Sequence, residues 1–359
     1  MVKENATFAY THILKLDCTI VKSCFWCGNM KGDFIELGKG KTAVIDWSPD
    51  GKLLAVGRDD GTIGLFEDTH ELQVLEGHKK PVSAMAWNRE GTRLATAGRD
   101  NTIVLWKGTK RIATLEGHKG PIYQLAWSPD SEILASCAGD KKVILWKGED
   151  SVVLEGHTKT VTMVSWSPDG ESLASGAADT TIRIWSRSGN EEAVLGNHNK
   201  ALASVAWNPV SEKKILASGG YDHSVRLWEG NKEIASMTKH ADRVFGLDWK
   251  SDGKLLASGG GFKDAKIHLW TPDGTYSSTL EGHTSSIYQL RWSPDGETLA
   301  SSSYDQTVRL WRGEKQTAVL EGAPGPALMT KWKPDGSALA CASMGAVIVW
   351  RFSQGFIAQ

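Results

Sequence analysis

Histidine, a hydroxyl residue and aspartate recur at fixed spacing along this chain, and these are the side chains of a Ser-His-Asp hydrolase. The stretch 78–106 supplies His78, Thr96 and Asp100, followed by Trp106. A catalytic triad needs one exposed nucleophile beside an oxyanion hole. Here the set recurs six times, each time with its tryptophan, and such repetition favours a structural hydrogen-bonded set over a catalytic one.

The six sets share the offsets seen in the first, with a longer first offset in the fifth unit and an insertion of residues 259–262 in the sixth. They are His78, Thr96, Asp100 and Trp106; His118, Ser136, Asp140 and Trp146; His157, Ser175, Asp179 and Trp185; His198, Ser218, Asp222 and Trp228; His240, Ser258, Asp264 and Trp270; and His283, Ser301, Asp305 and Trp311. A buried polar group without a partner costs roughly 1–3 kcal/mol. Four side chains that satisfy one another would therefore hold strands together where they meet.

Two other motifs resemble a metal or redox site and a phosphate-binding loop, but neither has the residues that such a site requires. Cys24 and Cys27 have the spacing of half a zinc knuckle or of a redox pair, but no second pair follows, so we interpret the five cysteines as reduced, mostly buried thiols. Residues 38–42 resemble the end of a phosphate-binding loop, but Ile35 stands where its first glycine is required. We predict no catalytic, cofactor-binding or metal-binding residue.

The elements that position these side chains repeat with a period near forty residues. One tryptophan marks each of eight units: Trp47, Trp87, Trp127, Trp166, Trp207, Trp249, Trp292 and Trp332. Each unit contains four strand candidates, here lettered a to d; in the second unit they are 81–87, 92–97, 102–106 and 111–115. This period is typical of a β-propeller. We predict an all-β fold, a single closed ring of four-stranded antiparallel blades, with eight blades favoured over seven.

The first and last units depart from the pattern. Their equivalent positions hold Gly38, Val56, Asp60 and Phe66 in the first unit, and Ala323, Ala340, Met344 and Trp350 in the last. The last unit supplies only strands a, b and c, so we predict that residues 33–37 add its fourth strand. This closure matters because an open ring would leave unpaired strand edges.

The domain boundaries follow from that closure. We predict an N-terminal extension with one or more extra strands at 1–32, the propeller at 33–350 and a tail at 351–359. Residues 19–26 resemble a spare strand c, which either competes with 346–350 or packs outside the ring.

The recurring residues resemble the WD-repeat β-propeller family over at least 33–350. In that family the histidine, hydroxyl, aspartate and tryptophan form a buried hydrogen-bonded tetrad, and the resemblance implies the same role here. The Trp-Asp pair that names the family is absent, since Trp106 precedes Lys107 and the tetrad aspartate comes from the b–c turn. The resemblance also implies that b–c turns and d–a loops share one face, on which family members often bind peptides or domains.

Positions that repeat in every unit hold the fold, whereas positions that vary are free to recognise a partner. Next to the tetrad aspartates and four residues before the strand-a tryptophans, aromatic residues gather on units five to seven. The candidate partner-binding residues are Arg99, Tyr123, Tyr221, Arg243, Phe245, Phe262, Lys263, Tyr288 and Tyr304. Tyrosine and arginine dominate interface hot spots. The alternative is that these side chains line the channel and pack loops.

Composition narrows the function class. The chain has 41 basic and 42 acidic residues and a net charge of −1, so no global field favours nucleic acid. It has no apolar run of about 18 residues that could span a bilayer and no N-terminal export signal. We predict a non-enzymatic scaffold or recognition subunit, cytoplasmic or nuclear, with protein partners and no cofactor.

Two alternatives belong to other function classes. Basic loop residues on units two to four suggest a patch that binds RNA or an acidic ligand, although lysine-rich loops are more often simply solvated. These residues are Lys79, Lys80, Arg99, Lys119, Lys141, Lys142 and Lys159. A propeller enzyme is the other alternative, because eight-bladed quinoprotein dehydrogenases also carry periodic tryptophans, although those enzymes are exported. A ubiquitin-ligase substrate receptor is disfavoured, since the Trp-Asp-x-Arg signature of such receptors is missing from every unit.

Overall fold

The strands of this protein form eight sheets that follow one another along the chain. The computed structural model describes residues 24–27, 30–36, 44–210 and 212–352. Two short strands come first: β1 (Cys24–Cys27) and β2 (Met30–Glu36). Blades one to four comprise β3 (Val44–Trp47), β4 (Leu54–Gly57), β5 (Thr62–Glu67) and β6 (His70–Glu76); β7 (Val82–Trp87), β8 (Leu94–Gly98), β9 (Ile103–Lys107) and β10 (Lys110–Leu115); β11 (Ile122–Trp127), β12 (Leu134–Ala138), β13 (Val143–Lys147) and β14 (Asp150–Leu154); and β15 (Val161–Trp166), β16 (Ser172–Ala177), β17 (Ile182–Ser186) and β18 (Glu191–Leu195).

The remaining blades repeat this plan. Blades five to eight comprise β19 (Leu202–Trp207), β20 (Ile215–Gly220), β21 (Val225–Glu229) and β22 (Lys232–Met237); β23 (Val244–Trp249), β24 (Leu256–Gly260), β25 (Ile267–Trp270) and β26 (Tyr276–Leu280); β27 (Ile287–Trp292), β28 (Leu299–Ser303), β29 (Val308–Arg312) and β30 (Lys315–Leu320); and β31 (Ala327–Trp332), β32 (Ala338–Ser343) and β33 (Ala346–Arg351) with β2. Among the residues described, no helix is both long and apolar enough to cross a bilayer.

Each blade is an antiparallel sheet in which strands a to d lie in chain order. The a strands are innermost, and each contacts the a strand of the next blade, including β31 of blade eight against β3 of blade one. The cycle is therefore closed. The prediction of an eight-bladed, all-β propeller is confirmed, and the seven-bladed alternative is wrong.

Blade eight is closed by the N-terminal segment. Strand β2 pairs antiparallel with β33 over six residues, from Lys31 opposite Arg351 to Glu36 opposite Ala346. The side chain of Ile35 packs in a buried cluster with apolar residues of β33 and of blade one. Strand β2 begins at Met30, three residues before the predicted start at residue 33, while residue 37 lies outside the described residues. The fourth strand of the last blade thus comes from the opposite end of the chain.

Strand β1 includes residues 24–26 of the spare strand predicted at 19–26, which could either replace residues 346–350 or pack outside the ring. Cys24–Cys27 pairs antiparallel with the outer edge of β2, Cys24 opposite Gly32 and Cys27 opposite Met30. It is a fifth strand at the periphery of blade eight and leaves β33 in place as strand c. Residues 8–23 lie outside the described residues.

Burial follows strand position within the blade. In blade two, every residue of strand b (β8) is buried, and so is every residue of strand c (β9) except its last. Both faces of these strands are covered by neighbouring blades, which explains their uninterrupted small and apolar residues. Strand d (β10) is exposed over its first half, because it lies at the rim. The core is therefore a set of clusters between blades rather than within them.

The strand-a tryptophans link each blade to the one before it. In six blades the indole Nε1 donates to the backbone carbonyl of the residue before the preceding tryptophan, at 3.0–3.2 Å. The exceptions are Trp87 and Trp292, whose Nε1 atoms have no partner in the described part of the chain. Both follow a blade with aspartate at that position, and their backbone N–H groups donate instead to the carboxylates of Asp46 (3.0 Å) and Asp248 (2.7 Å).

We expect Ile35→Ala to lower the free energy of unfolding by about 2–5 kcal/mol, because it removes a buried side chain from the cluster that joins β2 to the ring. Chemical denaturation followed by tryptophan fluorescence measures this change.

Leu72→Ala is the matched control, because Leu72 is an exposed apolar residue on β6, a rim strand. It should change stability by no more than about 0.5 kcal/mol. Equal stability of the two variants would contradict a closing role for β2.

Candidate protein-interaction face

The histidine–hydroxyl–aspartate sets form six tetrads with one geometry. In blade three, His118 Nε2 lies 2.8 Å from Ser136 Oγ, and His118 Nδ1 lies 2.9 Å from an Asp140 oxygen. Trp146 Nε1 donates to the same Ser136 Oγ at 2.8 Å. The same three contacts recur in blades two, four, five, six and seven. A neutral imidazole that donates from Nδ1 and accepts at Nε2 satisfies every member.

The elements of the blade explain how each tetrad is assembled. The histidine comes from the d–a loop, the aspartate from the b–c turn, the hydroxyl from strand b and the tryptophan from strand c. The hydroxyl residues Ser136 and Ser175 are completely buried, so no substrate can reach their oxygens. The arrangement links two loops to two strands and gives neither serine the access that nucleophilic catalysis requires.

The tetrad charges are fixed by their surroundings. Burial lowers the pKa of His157 despite the attraction of Asp179, so the imidazole is neutral at pH 7. Burial also opposes ionisation of Asp179, but hydrogen bonds from the side chain of Thr181, the backbone of Thr158 and His157 outweigh it and lower its pKa to about 2. In blade four the tetrad therefore pairs a neutral ring with a firmly ionised carboxylate.

The b–c turns and d–a loops lie on one face, which we call the loop face. Backbone hydrogen bonds of 2.9 Å join the two kinds of loop in several blades, for example Gly139 N to Pro121 O and Tyr304 N to Ser286 O. The backbone N–H after each tetrad histidine also donates to the tetrad aspartate in five blades, as Lys119 does to Asp140 at 2.8 Å. The loop face is consequently held by the same groups that hold the blades.

Four of the nine candidate residues form a continuous row of aromatic rings across blades five to seven, which we call the aromatic row. Tyr221 contacts Phe245 at 5.7 Å between ring centroids, Phe245 contacts Tyr288 at 5.3 Å, and Tyr288 contacts Tyr304 at 6.1 Å. The Arg243 guanidinium lies over the Tyr221 ring at 4.8 Å. Tyr304 is 51% exposed, whereas the other three rings are half-buried. The row presents apolar ring surface to solvent beside a fixed cation.

The other candidates lie outside the row. Arg99 and Lys263 are exposed on the b–c turns of blades two and six. Phe262, which is 69% exposed, lies in the inserted turn of blade six, and the ring contacts found in the described residues do not join it to the row. Tyr123 lies across the ring on blade three, where it borders a channel cavity of about 250 Å³.

The loop lysines of blades two to four are also solvent-accessible. Lys79, Lys80, Lys119, Lys141 and Lys159 are exposed, and Lys142 forms an ion pair of 2.7 Å with Glu155.

The channel also contains an arc of charged side chains that the sequence analysis did not identify. The residue before the strand-a tryptophan is Asp248 in blade six, Arg291 in blade seven, Lys331 in blade eight and Asp46 in blade one. Lys331 Nζ lies 2.9 Å from Asp46 across the seam of the ring, and Arg291 lies 3.6 Å from Asp248. Comparing this position between units would have found the arc, because blades two to five hold only alanine or serine there.

Two of the five cysteines have side chains that the structure describes. Cys137 and Cys341 are buried free thiols whose pKa values are raised by that burial. Cys18, the side chains of Cys24 and Cys27 and the glycine-lysine segment at 38–42 lie outside the described residues.

Repeat by repeat, the tetrads and the ring agree with the families that the sequence matches. The family model described as WD domain, G-beta repeat, matches residues 40–67, 231–271 and 274–312. A second family model, described as WDR19 first beta-propeller, matches residues 83–243. The chain belongs to the WD-repeat β-propeller family. As a member of that family it lacks the Trp-Asp pair after strand c, and its first and last units lack the complete tetrad.

Related WD-repeat proteins align with part of the chain. Target of rapamycin complex subunit wat1 of Schizosaccharomyces pombe is 35% identical over 99 residues, which are 27% of this chain and 32% of that protein. Target of rapamycin complex subunit LST8 of Saccharomyces cerevisiae is 31% identical over 99 residues, 27% of this chain and 33% of that protein. F-box-like/WD repeat-containing protein TBL1X of Mus musculus is 31% identical over 113 residues, 27% of this chain and 21% of that protein. The alignments thus span a third or less of each relative.

Among solved structures, the computationally designed Ika8 protein superimposes with a TM-score of 0.77 over 88% of this chain and 98% of that one. At 23% sequence identity, this similarity concerns the fold alone.

We expect Asp140→Ala to lower the free energy of unfolding by about 3 kcal/mol, because it leaves the buried His118 ring and the backbone N–H of Lys119 without their acceptor. Thermal and chemical denaturation measure the loss. Asp60→Ala is the matched control, since Asp60 occupies the same place in blade one and, within the described residues, its carboxylate accepts hydrogen bonds only from Thr62. A control as unstable as the tetrad variant would contradict a special role for the tetrads.

The tetrads also predict acid sensitivity. The pKa values of Asp179 and His157 are both lower in the folded chain, so the unfolded chain binds more protons as the pH falls. Stability should be greatest above about pH 6.5, the unfolded histidine pKa, and should decline through pH 2. Between pH 5 and pH 2, the free energy of unfolding of Asp179→Asn should fall by about 2 kcal/mol less than that of wild type. Parallel pH profiles for wild type and variant would refute this assignment.

Proposed function

We propose that this propeller is a non-enzymatic interaction scaffold that binds partner proteins through its loop face, with the aromatic row as the principal contact. The observation that carries the proposal is the continuity of the row. Tyr221, Phe245, Tyr288 and Tyr304 come from three different blades, yet each ring contacts the next.

The physical properties of the row suit protein recognition. Tyrosine rings supply large contact areas at a small entropic cost, since each has only two side-chain torsions. The half-buried rings brace one another, so little conformational freedom is left to lose on binding. Arg243 over Tyr221 adds a donor fork beside the apolar surface. A partner segment with an apolar anchor next to a carboxylate would match this surface.

The names of the relatives support a role within a larger assembly. Both wat1 and LST8 are named as subunits of the target of rapamycin complex. By analogy, we propose that this chain is a subunit of a larger intracellular assembly, in the cytoplasm or nucleus, and that it needs no cofactor for this role.

A second candidate is favoured by the exposed lysines of blades two to four, which could contact RNA or an acidic ligand. Exposed lysines alone confer a salt-dependent, sequence-independent attraction. The aromatic row offers more geometric selectivity, and we therefore place protein binding first.

The test is affinity purification of the intact chain beside a triple variant with Tyr221, Tyr288 and Tyr304 changed to Ala. We expect the triple variant to lose the partners that wild type retains, because truncating a hot-spot residue costs at least about 2 kcal/mol, or roughly thirtyfold in affinity. Quantitative mass spectrometry of the captured proteins measures the loss, and circular dichroism checks folding.

The matched control changes three exposed apolar residues of rim strands, Leu72, Ile112 and Val153, to Ala. It should keep every partner. Partners that stay with the aromatic variant, or that leave both variants equally, would reject the row as the contact. Partners that include RNA, lost with rising salt in all three proteins, would favour the second candidate.

A further inference from the structure

Blade six departs from the other five tetrad blades in two places that lie close together. Its b–c turn is two residues longer, since Asp264 follows Ser258 by six residues rather than four, and its strand c carries His268 at the central position. The corresponding residues in the other five blades are Val104, Ile144, Arg183, Arg226 and Arg309. Blade six is therefore the one tetrad blade with a second histidine beside its tetrad.

His268 is held in place but incompletely bonded. It is 2% exposed, and its Nδ1 lies 2.8 Å from Thr279 Oγ1. Its Nε2 is buried without a hydrogen-bond partner in the described residues. The ring lies 4.4 Å from the ring of His240, the tetrad histidine. A buried imidazole nitrogen without a partner is costly unless something bonds or coordinates it.

The tetrad aspartate of blade six also has spare capacity. In the other five blades this carboxylate accepts the backbone N–H after the histidine and the N–H two residues beyond itself, as Asp179 does from Thr158 and Thr181. Within the described residues, the carboxylate of Asp264 accepts only from His240.

The inserted turn explains this difference. Asp242, two residues after the tetrad histidine, takes the backbone N–H of Lys263 at 3.1 Å and so redirects the loop. Most acceptor positions on Asp264 are left open, next to the unpartnered nitrogen of His268.

From this geometry we propose that His240, Asp264 and His268 form a binding site for a divalent transition metal, zinc being the best match. One ligand atom from each residue lies within 4.8 Å of the other two. Two imidazoles and one carboxylate are a donor set that zinc accepts, with a fourth, open position for water. Ligand atoms around tetrahedral zinc lie about 3.4 Å apart, given bonds near 2.1 Å, so side-chain movements of about an ångström would complete the set.

The surrounding charges permit a cation at this position. Asp264 supplies one negative charge, and the two nearest ammonium groups are already engaged. Lys266 forms an ion pair of 2.6 Å with Glu281, and Lys239 lies over the Tyr276 ring at 4.1 Å. The bound metal would replace the direct His240–Asp264 hydrogen bond and fasten the inserted turn to strand c. Its role would be structural, at the part of the loop face that presents Phe262 and Lys263.

The test is titration of the chelator-treated intact chain with zinc chloride by calorimetry, with metal content measured after dialysis. We expect one zinc per chain in wild type, and visible absorption typical of tetrahedral coordination when cobalt(II) replaces zinc. His268→Val introduces the residue that blade two uses at this position and should weaken binding at least about 100-fold, because even loss of a group that only supports a ligand typically costs about 10–100-fold. His70→Ala, which removes an exposed histidine of β6, should bind as wild type does.

A second variant guards against misfolding. His268→Arg introduces the residue of blades four, five and seven, so a folded variant can be compared even if His268→Val is unstable. Zinc should raise the melting temperature of wild type and of neither His268 variant. Equal zinc affinity in wild type and a folded His268 variant would place the metal elsewhere, for example on the cysteine thiols, and overturn the proposal. Absence of zinc binding by wild type would overturn it as well.

Discussion

The pairing of β2 with β33 is the constraint on which the rest of the ring depends. Every blade buries its b and c strands only because another blade covers each face, so a missing strand in one blade exposes surface in two. Blade eight lacks a fourth strand of its own, and the six-residue ladder from Lys31 to Glu36 provides it from the other end of the chain. Closing so long a loop is entropically unfavourable, so the contacts of the ladder and the surface that it buries must offset that cost. Strand β1, paired on the outside of β2, then covers the edge that this ladder would otherwise expose.

The tetrads have a different role, which is to make the loop face as rigid as the sheets beneath it. Each tetrad links a d–a loop and a b–c turn to strands b and c through groups that are buried and mutually satisfied. Blades one and eight lack the complete set, and they meet at the seam. There Val56 and Phe66 of blade one occupy tetrad positions and pack with Ala340 of blade eight in one buried apolar cluster. Packing across the seam thus replaces hydrogen bonding within the blade, at the place where the ring has to close.

Features that repeat could be read from the sequence, whereas features that depend on one blade's deviations could not. The eight units, the tetrad members and the closing strand follow from fixed offsets, and the aromatic row follows because its positions are counted from those landmarks. The place of β1 was ambiguous, since the spacing of Trp26 matches that of a c strand while pairing depends on which edge is free. The channel pair Lys331–Asp46 joins residues from opposite ends of the chain, and only ring closure brings them to 2.9 Å. The unpartnered nitrogen of His268 depends on how the inserted turn redirects the bonds of Asp264, which no spacing rule describes.

Deviations from the repeat concentrate on one side of the ring, and this has a physical basis. A residue that departs from the repeat destabilises the blade unless it contributes elsewhere, so such residues mark positions with another role. Blade six has the inserted turn, a second histidine, a charged channel residue in Asp248 and, in Phe245, a central ring of the aromatic row. Its neighbours contribute Tyr221, Tyr288 and Tyr304 to the same row. The regular blades two to four instead supply a uniform scaffold with exposed lysines. Irregular and regular blades are thus separated around a single ring, and the tetrads of both sides share one geometry.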